Sequence, residues 1–377
     1  MQYNKQYSIV VQKIHSGLAY FLSIRGEFHA KTESEFSMLK QPGTTYCSVA
    51  LLFALLLLAA CSPRERKPFF EADISDIPAD TLRISRYEEM LFSLDPMKLR
   101  QEIAPHVEEF YFFLEEEVDD PSSLQLLYNY ITDPFLIGLY EDTREAWPRL
   151  DDLSATLGKA FRFYRHHFPE QETPRVYTYV SGLDYQMPVL LAENHLVIGL
   201  DNYLGAGYPV YGQIGIPRYM AHWMQPAKVA VDVAAVLAER HLAQAGFRPE
   251  TLLDHMIHQG KKLYFIDCLL PRTADTTKIS YTGGQMEWMQ RNQGRVWAYK
   301  LDNELLYSGD HAAIQNFITQ APFTSAFSRH SAPRTGSWLG WQIVREYMRR
   351  NPEVSLQELL HETDSGKLLH QARFRPG

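Results

Sequence analysis

The sequence predicts an α+β fold, a single helix-rich domain with a small sheet. Three observations carry this. Apolar residues recur at helical spacing through most of the chain after residue 96, two short stretches alternate as strands do, and no internal repeat or low-complexity segment follows Cys61. In chain order, "DTLRISRYEEMLFSLDP" (80–96) alternates Leu82 and Ile84 and then turns helical through Tyr87, Leu91 and Leu94, so a strand leads into a helix. Residues 97–165 keep helical spacing, broken at Pro105, Pro121, Pro134 and Pro148. Glu115, Glu116, Glu117, Asp119 and Asp120 form an acidic run before Pro121, read as a solvated helix end or loop.

"RVYTYVSG" (175–182) alternates like a half-buried strand, and "NHLVIGLDNYLG" (194–205) reads as a second; Val176–Val180 beside Leu196–Leu200 would make the small sheet. A helix over 226–246 starts at Pro226 and stops at Gly246. The stretch 248–271 sets Leu252, Leu253, Met256, Ile257 and Gly260 along one helical face. Residues 282–308 read as two helical pieces around Gly294. Residues 340–360 read as two helices split at Asn351-Pro352, the second opened by a capping box, Ser355 with Glu358.

The N-terminal part follows different rules. Val49 to Ala60 is an unbroken apolar run of twelve residues, too short for a spanning helix of about 20. It fits the core of a secretory signal peptide. Read from Met38, the segment has a basic start at Lys40 with no acid, so 38–60 is a signal peptide and 1–37, with Glu27, Glu33 and Glu35, is an upstream extension or translation artefact. Leu58, Ala59 and Ala60 before Cys61 resemble a bacterial lipobox, in which the cysteine is lipidated before cleavage. Two or more acyl chains, at about 0.8 kcal/mol per buried CH₂, would hold the protein to a membrane. Residues 61–70 then form a tether, and 71–377 the globular domain.

Composition narrows the function classes. The chain has 377 residues, 45% of them apolar, and a formal net charge of −8. A surplus of acid excludes a phosphate-neutralising nucleic-acid binder. Three cysteines, two of them in or beside the apolar run, make no disulfide framework. His-Glu-x-x-His is absent; His361-Glu362 comes closest, with Ser365 where the second histidine would stand. His255 and His258 share a helical face without a third ligand nearby. Cys268, in "YFIDCLLP", reads as a buried thiol. Neither a Gly-x-Ser-x-Gly elbow nor a phosphate-cradling glycine loop is present. No enzyme activity and no cofactor or metal are expected on these grounds. Aromatics crowd 203–223 and recur at Trp288, Trp297, Trp338 and Trp341, as core or as a recognition surface.

Together, "RYEEMLFSLD" (86–95), "VIGLDNYLGAGYPVY" (197–211), "MIHQGKKLYFIDCLLP" (256–271), "KISYTGGQMEW" (278–288), "VWAYKLDNELLYSGD" (296–310), "APFT" (321–324) and "GSWLGWQIVREYM" (336–348) resemble the GldB family, lipoproteins associated with gliding motility in Bacteroidetes. Residues 1–37 lie outside the likeness, in keeping with a start at Met38. The resemblance implies an envelope-anchored protein of a motility machinery linked to type IX secretion, and it supplies no biochemical activity. A second likeness is to a family of zinc-dependent proteases, whose degenerate zincin-like fold would then underlie this chain. Val231, Asp232, Val233 and Ala235 fall where that family has its metal helix, and Gln259 precedes Gly260 on a later one. Apolar side chains cannot ligate zinc.

The expectation is therefore a non-catalytic lipoprotein facing the periplasm, its partners a membrane (inner or outer) and envelope proteins of the gliding and secretion machinery. The candidate binding surface is Asp201, Tyr203, Tyr281, Gln285 and Trp288. Two alternatives stand beside it. One is an unusual hydrolase built on Asp267, His255 and His258. The other is a glycan- or peptidoglycan-binding module using exposed tryptophans.

Overall fold

Strand β1 (Ile84–Arg86) runs straight into helix α1 (Tyr87–Phe92), as the switch in apolar spacing predicts. The structure is a computed structural model that describes residues 67–79, 81–114 and 120–377. The leader, the Leu58–Ala60 lipobox, Cys61 and residues 115–119 of the acidic run lie outside the described residues. Helices α2 (Pro121–Thr132) and α3 (Pro134–Ala146) each start on a proline, where a missing N–H costs nothing. Asp120 and Asp133 cap them through Ser123 N and through Phe135 N and Leu136 N. Helix α4 (Asp151–His167) then leads to β2 (Arg175–Tyr179), β3 (Val189–Ala192) and β4 (His195–Gly199).

The sheet order is β1-β2-β4-β3. β2 lies parallel to both β1 and β4, whereas β3 pairs antiparallel with β4. Val176 stands opposite Leu196, in the register that the two alternating stretches suggest. One expectation needs correcting: β2 is buried on both faces rather than half-buried. Val176 faces a core with Leu196 and Ile198, while Tyr177 and Tyr179 face a second core with Val197. Parallel strands are covered by their crossover helices on both sides. The polar residue in the middle, Thr178, is accommodated by donating to the buried Glu88 carboxylate at 2.8 Å.

The larger core is built mainly from longer helices further along the chain: α5 (Val229–Gln244), α6 (Leu252–Leu269), α7 (Gly283–Asp302), α8 (His311–Ile318), α9 (Thr335–Arg350) and α10 (Ser365–Ala372). Gly246, at φ +71°, follows α5 as predicted. Ser355 and Glu358 form the predicted capping box of the short helix Leu356–His361. The predicted break at Gly294 does not occur, and α7 runs through it. The glycine there serves packing: a Cβ would meet Gly377 O at 2.9 Å. Closest of all is the crossing of α6 and α9. A Cβ on Gly340 would stand 1.7 Å from Met256 O, and one on Gly260 2.3 Å from Gly340 O.

The expected tether is docked at its far end. Phe70 lies 5.4 Å from the Arg345 guanidinium and 5.2 Å from Lys278 Nζ, with Tyr264 beside it. Arg162 holds the following backbone by donating to Ile74 O and Ile77 O. Phe70 thereby roofs a buried charge cluster. Asp267 accepts from Lys278 Nζ (2.8 Å), Trp341 Nε1 (2.8 Å), Arg345 Nε (2.7 Å) and Arg345 Nη2 (2.8 Å).

Candidate functional site

A cavity of about 230 Å³ opens beyond the C-terminal end of β4, where ligands of α/β sheets commonly bind. Its floor comes from helix α5. Lys228, just before that helix, and Val231, Asp232 and Ala235 on it all line the space, because positions three and four apart share a helical face. Helix α6 contributes Lys262, Leu263 and Ile266. The turn after β4 brings Asn202 and Tyr203, and Met220, Trp223 and Met224 form an apolar wall. Gln320 and Arg334 close the far side. Arg334 sits at φ +49°, in the left-handed region, immediately before α9.

The polar groups are specifically held. Tyr203 donates its hydroxyl to Asp232 Oδ2 at 2.9 Å, and Lys228 Nζ lies 3.5 Å from Asp232 Oδ1 and donates to Thr277 O at 3.2 Å. Burial, reinforced by Asp232, holds the Tyr203 hydroxyl protonated far above the usual tyrosine range. Burial pulls Lys228 below the ordinary lysine range, with Asp232 opposing it. Arg334 donates to Ile279 O at 3.2 Å and to Gln259 Oε1 at 3.4 Å. One guanidinium at the cavity thus ties Gln259 on α6 to the backbone at Ile279.

The five residues expected to form one exposed surface do not do so. Only Tyr203 reaches this cavity, and it is buried. Asp201 is fully buried beneath it, where its carboxylate accepts from Ser181 N, Ser181 Oγ and Leu183 N and closes the turn after β2. Burial outweighs those hydrogen bonds and raises its pKa to about 6. Tyr281, also fully buried, donates to Pro333 O at 2.6 Å and so fixes the segment leading to Arg334. An aromatic or carboxylate pattern in sequence does not distinguish a displayed group from one that satisfies a buried backbone. Gln285 and Trp288 line a separate, open cleft of about 500 Å³. Gln285 is engaged there, accepting from Thr282 N and donating to Pro322 O.

Lys228, Arg334, Gln320, Met220 and Met224 were not legible as site residues. Each stands alone in its own stretch, and only the fold collects them. Trp338 and Trp341 are core, as is Cys268, whose thiol burial pushes far above its usual range. Among the described residues, no group of three or more His, Cys, Asp or Glu side chains stands together as a metal site.

A family model described as "Gliding motility protein GldB" matches residues 68–376, nearly all of the described chain. No curated protein and no solved structure matches.

Proposed function

The chain belongs to the GldB gliding motility protein family, and on that premise we propose that it is a non-catalytic scaffold of the gliding machinery and its associated secretion apparatus. A lipid on Cys61 would hold it in the envelope with the domain facing the periplasm. The observation that supports binding over catalysis is the face α5 turns to the cavity. Val231, Asp232 and Ala235 line it, at the positions where the zinc proteases it resembles carry histidine, glutamate and histidine. Valine and alanine have no lone pair to offer a metal, so these residues do not fit zinc. Asp232 accepts from Tyr203 through Oδ2 and faces Lys228 Nζ at 3.5 Å from Oδ1, a structural pairing in place of a glutamate base beside a metal.

The rival hydrolase constellation does not converge. His258 and His255 precede Asp267 by nine and twelve residues on the one continuous helix α6, so about 13 and 18 Å of helix rise separate them from it. Asp267 is moreover fully buried under Lys278, Arg345 and Trp341. For a glycan platform, Trp338 and Trp341 are out of reach in the core.

Crosslinking of the lipidated protein in intact envelopes, followed by mass spectrometry, tests the scaffold reading. Components of the motility and secretion machinery are expected among the products. Recovery of the protein alone, together with stoichiometric zinc and peptidase activity in the purified protein, would overturn it.

A further inference from the structure

On the reading that Cys61 carries lipid, the segment leading into the domain fixes which face of the body meets the membrane. That segment is strapped down. Phe70 lies over Lys278 and Arg345, at 5.2 and 5.4 Å, and packs edge-on against Tyr264. Glu71 pairs with Arg272 at 2.9 Å. Arg162 donates to Ile74 O and Ile77 O, and Arg165 Nη2 donates to Pro78 O at 2.8 Å. From Phe70 onward the strap therefore moves with the body.

The remaining tether is short. Cys61 stands eight residues before Phe69. Fully extended, eight residues span at most about 26–29 Å. A compact domain of about 300 residues has a radius of gyration near 20 Å and is about 50 Å across. The tether is thus about half as long as the body is wide. Only the half of the surface centred on Phe69 can touch the bilayer that holds the acyl chains.

Within that half, charge and apolarity select the contact. Arg64, Arg66 and Lys67, against Glu65 alone, give the tether a surplus of positive charge, whereas the chain as a whole stands at −8. Anionic headgroups attract the tether and repel the body, which draws the junction at Phe69 onto the lipid. Phe69 is 52% exposed; its ring centre lies 5.2 Å from that of Phe70 and 6.3 Å from that of Tyr264, and half of its surface stays open. A lone exposed phenylalanine on a soluble surface needs no explanation. This one stands two residues from Lys67 and eight from the lipid. An acyl chain, a basic cluster and an aromatic ring together seat a protein at an anionic interface. We infer that the domain docks on the bilayer through the face centred on Phe69, whose ring enters the interfacial layer while Arg64, Arg66 and Lys67 bind anionic headgroups. The docked strap then holds the body in one orientation instead of letting it swing.

The test reads depth. Phe69→Cys and, for comparison, Met97→Cys are labelled with bimane in the lipidated full-length product, reconstituted into vesicles of phosphatidylethanolamine and phosphatidylglycerol. With Cys61 acylated and Cys268 buried, the introduced thiol takes the label. Met97 is 82% exposed and stands between Leu94 and Leu99 of the smaller core. Lipids with a nitroxide at shallow acyl depth are expected to quench the label at 69 roughly threefold or more over that at 97. Changing Arg64, Arg66 and Lys67 together to Gln is expected to lower that excess at least about twofold. Equal quenching at the two positions, or none at 69 while the protein stays on the vesicles, overturns the inference and leaves the lipid anchor standing. So does a label at 69 with blue-shifted emission that lipid does not quench, because a second copy or a partner protein then covers that face. Protein recovered in the soluble fraction with Cys61 unmodified removes the anchor and the inference together.

Discussion

Lys300 is fully buried on α7, with its Nζ 4.0 Å from the centre of the Phe317 ring and 5.8 Å from that of Phe327. That nitrogen has no hydrogen-bond partner. Burial lowers its pKa from the 10.5 of a solvated lysine to about 7. Because the folded value lies below the unfolded one, the unfolded chain holds a proton that the folded protein sheds between pH 10.5 and 7. This residue is therefore least costly above pH 10.5, becomes more costly as pH falls, and reaches its full cost below pH 7. At roughly 1.4 kcal/mol per pH unit, that cost is about 4–5 kcal/mol. Attraction of the ammonium to the two ring faces offsets about 1–2 kcal/mol. Lys300→Met keeps the length and removes the charge, so it is expected to stabilise the fold by about 3 kcal/mol at pH 6. Urea unfolding of both proteins at pH 6, 7.5 and 9 measures this. The gap should narrow by about 2 kcal/mol at pH 9. A gap that does not change with pH, or a methionine variant less stable than the parent at pH 6, would refute the reasoning and show that the ammonium is held charged by a partner.

Four further outcomes are expected. Gly340→Ala places a Cβ 1.7 Å from Met256 O, between two backbones that cannot both give, and should cost about 3 kcal/mol or more in thermal or urea unfolding. Gly138→Ala, where a Cβ meets nothing within 4 Å, should be neutral or slightly stabilising in the same assay. Asp267→Ala leaves Lys278 buried without its carboxylate and takes two hydrogen bonds from Arg345, so a loss of about 3–5 kcal/mol is expected, with a shift in the emission of Trp341. Cys61→Ser is expected to release the protein from membranes into the soluble fraction, and mass spectrometry of the parent should find that cysteine acylated; a free thiol on a membrane-bound parent would sink the anchoring expectation.

Local signals that act within one turn of chain were reliable. Pro121 and Pro134 start helices because their missing N–H falls where no intrahelical bond is made. Ser355 with Glu358 caps a helix because both partners lie within three residues. The pairing of Val176 with Leu196 was readable because both strands are short apolar stretches that end in turn residues. The hairpin strand Val189–Ala192 was not, since four apolar residues without alternation carry no period. Gly294 misled for a related reason. Its sequence neighbours do not reveal that Gly377 packs against it.

The sequence by itself determined the helix-rich α+β class and the family, because each is written in residue types at fixed short spacings. Tertiary structure decided the site. Asn202, Lys228, Gln320 and Arg334 come from four separate stretches, and each is ordinary where it stands. Whether a polar atom is left without a partner depends on what the fold packs around it, and no one-dimensional spacing records that. The same physics moved Asp201 and Tyr281 from a supposed surface to the interior, where they spend their hydrogen bonds on backbone.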